Sequence, residues 1–236
     1  MSKKNKKDKK PRPQPKPNRQ IPNSMIRAMK LLGPRHYLQH AREYPMLGCW
    51  IMEGWYEAGI TPVVVAREQE PGKVMFAVCM VDLTCLGVKD AYTRTDFSLS
   101  KFERSLPELC AGNPEKCSLE LAHEVIYGAL EYAERYGFQP HPDFKVLMAD
   151  LVLDPPDAHP RVDNVAFGKD GKPFYISGPY DDERKREFIF NTLMRTAGQG
   201  NFDFIMGLDG MPDLLDDDFE DGLVEFTEDD EPKIDR

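Results

Sequence analysis

The sequence predicts an α+β fold: a single mixed domain with a mainly antiparallel sheet and a central helical segment, flanked by charged, disordered tails. Three observations predict it. β-Branched and aromatic runs crowd residues 49–83, an apolar stripe with three- and four-residue steps fills residues 119–136, and a shorter β-forming stretch returns after residue 164.

The elements follow in chain order. Residues 1–21 open with MSKKNKKDKKPRPQPKPNRQ, which alternates lysine clusters with prolines and offers almost nothing to bury, so a disordered basic arm is expected. A helix is expected from Ser24 to Leu32, capped by Ser24 and stopped at Gly33-Pro34, and a second from near Pro34 to just before Pro45. CWIMEGWYEAGITPVVVAREQEPGKVMFAVCMVDL reads as strand-forming, with Pro71-Gly72 turning Val63–Glu68 into Val74–Leu83. Around Trp50 and Trp55 the glycines leave strand and short helix both open. In the second run Val74, Phe76, Val78 and Met80 alternate with Met75, Ala77, Cys79 and Val81. A strand apolar on both faces belongs in a sheet interior.

SLSKFERSLPELC predicts a short helix capped by Ser98 or Ser100. Leu119, Ala122, Ile126, Ala129, Ala133 and Tyr136 then form an amphipathic stripe that Gly137 stops. A third helix is expected over Phe144 to Leu153, capped by Asp143 and ended by Pro155-Pro156. NVAFGKDGKPFYIS carries a hairpin signal at Asp170-Gly171. GPYDDERKREFIFNTLMRTAGQG begins with acids and ends with Arg195 and Gly198, as a helix dipole and a C-terminal cap favour, and NFDFIM supplies a last strand. The globular domain is placed at about residues 22–207. Residues 208–236 are expected to be an acidic disordered tail whose scattered apolar side chains, Leu214, Leu215, Phe219, Leu223, Val224 and Phe226, suit folding on a partner.

Charge is segregated along the chain. The net −9 hides nine Lys/Arg against Asp8 in residues 1–20 and thirteen Asp/Glu against Lys233 and Arg236 in residues 208–236. Between them, 41% hydrophobic content over the whole chain supports a real core. No apolar run is long enough to cross a membrane and no apolar segment follows the basic start, so neither a spanning helix nor a secretory leader is expected. Five cysteines form no C-x-x-C pair, which predicts free thiols in a reducing, cytoplasmic setting and no structural zinc. The glycine-rich segments AGQG and GKDGK match neither phosphate cradle, and no G-x-S-x-G elbow occurs. No metal and no cofactor are predicted.

Candidate chemistry gathers in two places. In VDLTCLGVKD, a strand ending near Leu83 would put Asp82, Thr84, Cys85, Lys89 and Asp90 at its mouth and on the following loop. Cys85 would then be a nucleophile activated by Lys89 or a histidine, or Asp82 and Asp90 a carboxylate pair for a metal ion. The competing reading makes Cys85 a packed hydrophobe, and it is favoured because free cysteines are usually buried and inert. In AHEVIYGALEYAERYGFQPHPDF, His123, Tyr127 and Glu131 share one helix face. Tyr127 stands where H-E-x-x-H needs its second histidine, so the zinc-protease pattern fails. The three form either a hydrogen-bonded seam or a pocket wall, the seam being the commoner arrangement for buried polar groups. His141 and Asp143 could serve as metal ligands or as a base with its orienting acid, but the flanking Pro140 and Pro142 and the capping role of Asp143 favour a structural part. His36, His40 and His159 lack informative neighbours. In the arm, Lys3, Lys4, Lys6, Lys7, Lys9, Lys10 and Arg12 would attract nucleic acid without sequence specificity.

VDLTCLGVKDAY, AHEVIYGALEYAERYGFQPHPDF and FGKDGKPFYISGPYDD together resemble segments of an uncharacterised family of bacterial proteins, over about Pro45 to Met206. The resemblance implies a bacterial cytoplasmic protein and no activity, cofactor or catalytic residue. The function expected is a non-catalytic intracellular binding or adaptor module, whose arm contacts nucleic acid, RNA among the choices, and whose acidic tail contacts protein. The alternative is a hydrolase or nuclease with its pocket between the end of the Val74–Leu83 strand and the Ser118–Tyr136 helix, using Asp82, Cys85, Lys89, Asp90 and His123, with Tyr127, Glu131 and His141 as pocket wall.

Overall fold

Val74, Phe76 and Val78 pack into one hydrophobic cluster and Met75, Ala77, Cys79 and Val81 into another, so strand β3 (Lys73–Asp82) is buried on both faces, as its sequence predicts. This is seen in a computed structural model, which describes residues 33–178 and 180–205. The predicted Ser24–Leu32 helix, the basic arm and the acidic tail lie outside the described residues. Those described form one globular region.

Its centre is a five-stranded antiparallel sheet of β1 (Met46–Met52), β2 (Ile60–Glu70), β3, β4 (Gly87–Ser98) and β5 (Pro114–Cys117), in the spatial order β4-β3-β2-β1-β5. The Pro71-Gly72 turn pairs β2 with β3 from Glu70 opposite Lys73 to Ile60 opposite Asp82. Gly72, at φ +79°, supplies the left-handed step such a turn needs. One face is covered by α3 (Leu99–Leu109) through Phe102, Leu106 and Leu109. The other carries α1 (Gly33–Gln39), a short 3-10 turn (Ala41–Glu43), and a continuous helix of three parts: α4 (Leu119–His123), a π segment (Glu124–Gly128) and α5 (Ala129–Arg135). Ser118 Oγ accepts from the Leu121 N–H at 3.1 Å to start that helix, and Gly137, at φ +84°, follows its end. Between β1 and β2, Trp55–Ala58 takes the helical alternative as α2.

Beyond this lie α6 (Asp143–Val146), α7 (Ala149–Val152), β6 (Phe174–Ile176), α8 (Glu183–Thr196) and β7 (Asp203–Ile205). The single helix expected over Phe144–Leu153 is split because Met148 takes φ +56°. Pro142 occupies the N-cap position there and no side chain caps it, so Asp143 is the first helical residue and not the cap. The expected turn at Asp170-Gly171 forms, with Lys169 and Lys172 exchanging both backbone hydrogen bonds at 2.8 and 2.9 Å. Its arms then separate, because Gly168 N–H donates to Leu83 O and Phe174 N–H to Thr84 O. β6 pairs instead with β7, in parallel. Asp182 caps α8 by accepting from Lys185 N–H at 2.7 Å, as the acidic start of that segment suggested.

The largest departure from expectation is β4. The stretch after Leu83 is a tight turn, and twelve residues from Gly87 to Ser98 then form the longest strand of the sheet. Only Gly87, Val88 and Ala91 of this strand are buried, and a bulge breaks its alternation: Met80 faces Asp90 and Val81 faces Val88, leaving Lys89 unopposed. A polar edge strand with a broken period carries little signal. β5 is equally cryptic, four residues at the other edge with Pro114 in a place that an edge tolerates.

Candidate functional site

The segment VDLTCLGVKD divides between a turn, a core and a bulged strand. Asp82 is buried, and its Oδ1 accepts from Thr84 N–H at 2.8 Å and Cys85 N–H at 3.0 Å, so it closes the β3–β4 turn. Thr84 Oγ1 lies 2.8 Å from both Asp82 Oδ1 and Phe174 O, and its one proton serves them in turn. Cys85 is fully buried among Leu86, Ala133, Phe138, Tyr175, Ile189 and Leu193. Burial pushes its thiol far above the ordinary range and Asp82 adds to this, while Lys89 opposes them. Cys85 therefore takes the packed alternative, and a buried neutral thiol is no nucleophile. Alkylation of the native chain at neutral pH should leave Cys85 unmodified until denaturant unfolds the domain. Rapid native modification at that residue would contradict the packing.

Lys89 and Asp90 sit in a strand, not on a loop, and the bulge between them and β3 sends their side chains to different partners. Lys89 Nζ is 4.0 Å from Asp181 Oδ2, and both side chains are largely buried. Asp181 also receives Lys185 Nζ at 2.7 Å, Tyr175 OH at 2.7 Å and Gly178 N–H at 2.8 Å. Burial pushes that carboxyl up, and these hydrogen bonds outweigh it and hold it below the usual carboxylate value. Asp90 accepts from Ala91 N–H at 2.7 Å, and burial raises its carboxyl.

His141 is brought to Asp90 because its own N–H donates to Val88 O at 2.9 Å, which fastens the Pro-His-Pro-Asp segment to the start of β4. Its Nδ1 lies 3.9 Å from Asp90 Oδ1 and 3.6 Å from Asp143 Oδ2, and Asp143 N–H points at the same nitrogen from 3.3 Å. One donor atom from each of Asp90, His141 and Asp143 lies within 4.8 Å of the others. Two carboxylates and an imidazole can share a proton or hold a divalent cation with an oxygen and nitrogen donor set. The pairing of Asp90 with His141 and Asp143, across about fifty residues, has no local signature.

His123, Tyr127 and Glu131 do not stay on one line. The π segment between them closes i→i+5 turns and shifts the phase of the helix. His123 Nε2–H donates to Pro155 O at 2.8 Å, and Tyr127 OH donates to Asp154 O at 3.1 Å. Glu131 turns away to Arg161, whose Nη1 donates to both of its oxygens at 2.7 and 2.8 Å. The same guanidinium grips buried Glu124 at 2.6 and 2.8 Å. Gly128 permits this joint, since a Cβ there would overlap the Phe167 ring and approach Glu124 Oε1 to 2.8 Å. The hydrogen-bond partners of His123, Tyr127 and Glu131 all lie in residues 154–161.

A second joint was absent from the sequence reading. Arg67, buried in β2, donates to Val152 O at 2.7 Å, Tyr44 O at 2.9 Å and Asp154 Oδ1 at 2.7 Å. Asp154 Oδ2 in turn meets His159 Nε2 at 2.8 Å, and the His159 ring packs edge-on to His123. The one available hint was an arginine directly after the apolar run Val63–Ala66.

The expected pocket between β3 and the 118–136 helix is closed at Gly87. A Cβ on Gly87 would lie 3.0 Å from Ala129 O and from Ala133 Cβ, so sheet and helix touch there. A cavity of about 460 Å³ opens elsewhere, lined by Tyr56, Gly59, Thr84, Phe167, Lys169 and Asp170 among others, and none of the expected catalytic residues lines it. His123 engages Pro155, Tyr127 and His159, none of them in the Asp82–Asp90 segment. The fold and its joints thus define an α+β domain with polar side chains used chiefly as fasteners. No protein-family model, curated protein or solved structure matches the chain.

Proposed function

We propose that this chain is a non-catalytic binding module whose basic arm contacts nucleic acid, RNA in particular, and whose acidic tail contacts a protein. The observation that carries the proposal is the density of nine Lys/Arg against one Asp in residues 1–20, set against the acidic residues 208–236. Such an arm releases condensed counterions from a phosphate backbone, so it binds with a strong salt dependence and little sequence preference. The engagement of Asp82 in a turn and of Cys85 in the core supports a binding role over a catalytic one. A cytoplasmic location belongs to the same proposal. It is supported by five free thiols, and no helix among the described residues is long and apolar enough to cross a membrane.

The test compares the full chain with a variant in which Lys3, Lys4, Lys6, Lys7, Lys9, Lys10 and Arg12 are changed to glutamine. Fluorescence anisotropy with a single-stranded RNA oligonucleotide should show a loss of affinity of at least about tenfold at physiological salt. The slope of log K against log salt should flatten by about 5, given roughly 0.7 per neutralised phosphate on a single strand. Equal affinity and slope for the two proteins would reject the arm. Cleavage of the oligonucleotide by the full chain, lost in Asp90→Asn, would move the assignment to the hydrolase or nuclease alternative.

A further inference from the structure

Five thiols are present, and the sheet register singles out two of them. Cys49 on β1 lies directly opposite Cys117 on β5. Opposed residues of an antiparallel pair project to the same face of the sheet. Cys49 is fully buried in the cluster on the face that carries the long helix, and Cys117, partly exposed, packs against that same cluster. The type of opposed pair can be read from the ladder. Glu53 N–H donates to Asn113 O at 2.9 Å, and extending the register by one step from Met52 opposite Pro114 makes these two residues opposed. Hydrogen-bonded and non-hydrogen-bonded pairs alternate, so Ile51/Glu115 and then Cys49/Cys117 are hydrogen-bonded pairs too. Their Cα atoms are therefore about 5.5 Å apart, within the span of a disulfide, while the Cβ atoms of such a pair start near the wide end of about 4.5–5.5 Å and must close to about 4.5 Å or less, so the bond forms with strain that keeps it reducible.

The other thiols are placed differently. Cys110 ends α3 in the cluster on the opposite face of the sheet. Cys79 lies on β3, two strands from β1, and Cys85 lies in the third cluster with α8. We infer that Cys49 and Cys117 are a reversible disulfide-forming pair that staples the edge strand β5 to β1 under oxidising conditions.

The chemistry balances with a hydroperoxide as oxidant. The Cys117 thiolate attacks the peroxide oxygen, the O–O bond breaks, and a sulfenic acid forms as the leaving oxygen takes a proton. The Cys49 thiolate then attacks the sulfenic sulfur, the S–S bond forms, and the S–O bond breaks to release water. Two thiols lose two electrons and two protons, and one hydrogen peroxide becomes two waters. Burial pushes the Cys117 thiol up to about 11 and Cys49 up to about 12, so thiolate is scarce while the sheet is closed. Reaction therefore proceeds through opening of the four-residue β5, which has only β1 as a strand partner among the described residues. The staple would also fix the start of the long helix, since Ser118, its cap, follows Cys117 directly.

The test treats the full chain with hydrogen peroxide, blocks remaining thiols, and maps peptides by mass spectrometry without reduction. A linked peptide pair containing Cys49 and Cys117 is expected, lighter by two hydrogens and restored by a thiol reductant. The oxidised protein should melt higher by about 5 °C or more, and Cys117→Ser, at a partly exposed position, should show neither link nor shift. Recovery of both residues as free thiols, a link from Cys117 to Cys110, a link between two chains, or a link without the thermal shift would each overturn the assignment.

Discussion

Arg67→Ala should destabilise the domain by about 3–5 kcal/mol, the scale at which breaking a buried ion pair leaves uncompensated polar groups behind. The guanidinium is buried inside β2 and serves Val152 O, Tyr44 O and Asp154 Oδ1 at once, so its loss takes a donor from two carbonyls and from one oxygen of a carboxylate. Arg67→Lys should recover only part of the loss, because an ammonium cannot reproduce three planar donations along separate directions. Urea unfolding is the measurement, and the midpoint should fall without a change in slope. A wild-type midpoint for Arg67→Ala would mean that the Val152–Asp154 corner is held by something other than this fork.

The same corner has a pH dependence whose sign is determined. Burial pushes the Asp154 carboxyl up, but the hydrogen bonds from His159 and Arg67 outweigh it and hold the group below the ordinary carboxylate range. A depressed carboxyl contributes stability that is complete above its unfolded value of about 3.9 and is lost as pH falls through the folded value. The stability gap between wild type and Arg67→Ala should therefore narrow below about pH 4.

Phe102→Ala should cost about 3–5 kcal/mol, as large-to-small aromatic truncations in a close-packed core do. Phe102 is fully buried on α3, with its ring centroid 5.1 Å from Phe76 and 5.3 Å from Trp50. Phe102 shares its cluster with Val64, Ala66, Val74 and Phe76 of the sheet, so its removal leaves a cavity among close-packed side chains. Phe188→Ala on α8 is the internal control. That ring is 61% exposed, and its removal should change stability by no more than about 0.5 kcal/mol. A small effect at Phe102 would mean that α3 contributes little to the closed sheet.

Much of the fold was legible in the chain itself because its determinants are local. The Pro71-Gly72 turn and the two-sided apolar run of β3 specify a hairpin inside a sheet, and the Leu119–Tyr136 stripe specifies a long helix. Asp182 and Gly198 bound α8 by contacts within a few residues of its ends. The candidate site was legible only in part. Asp82, Cys85, Lys89 and Asp90 were read as neighbours because they are close in sequence, yet the turn, the core and the Lys89 bulge send them to four different surroundings.

Local periodicity and capping therefore determined by themselves that this is an α+β domain with an interior β3, a long amphipathic helix and oppositely charged ends. Tertiary structure alone decided that Gly87–Ser98 is a strand, that His141 and Asp143 meet Asp90, that Arg67 clasps Asp154, and that Cys49 faces Cys117. The physical reason is the same in each case. A helix period or a cap is satisfied within a few residues, whereas strand register and a buried charge's partner are chosen by other segments, the adjoining strand β3 for Gly87–Ser98 and segments fifty or more residues away for the rest, and no local pattern encodes that choice.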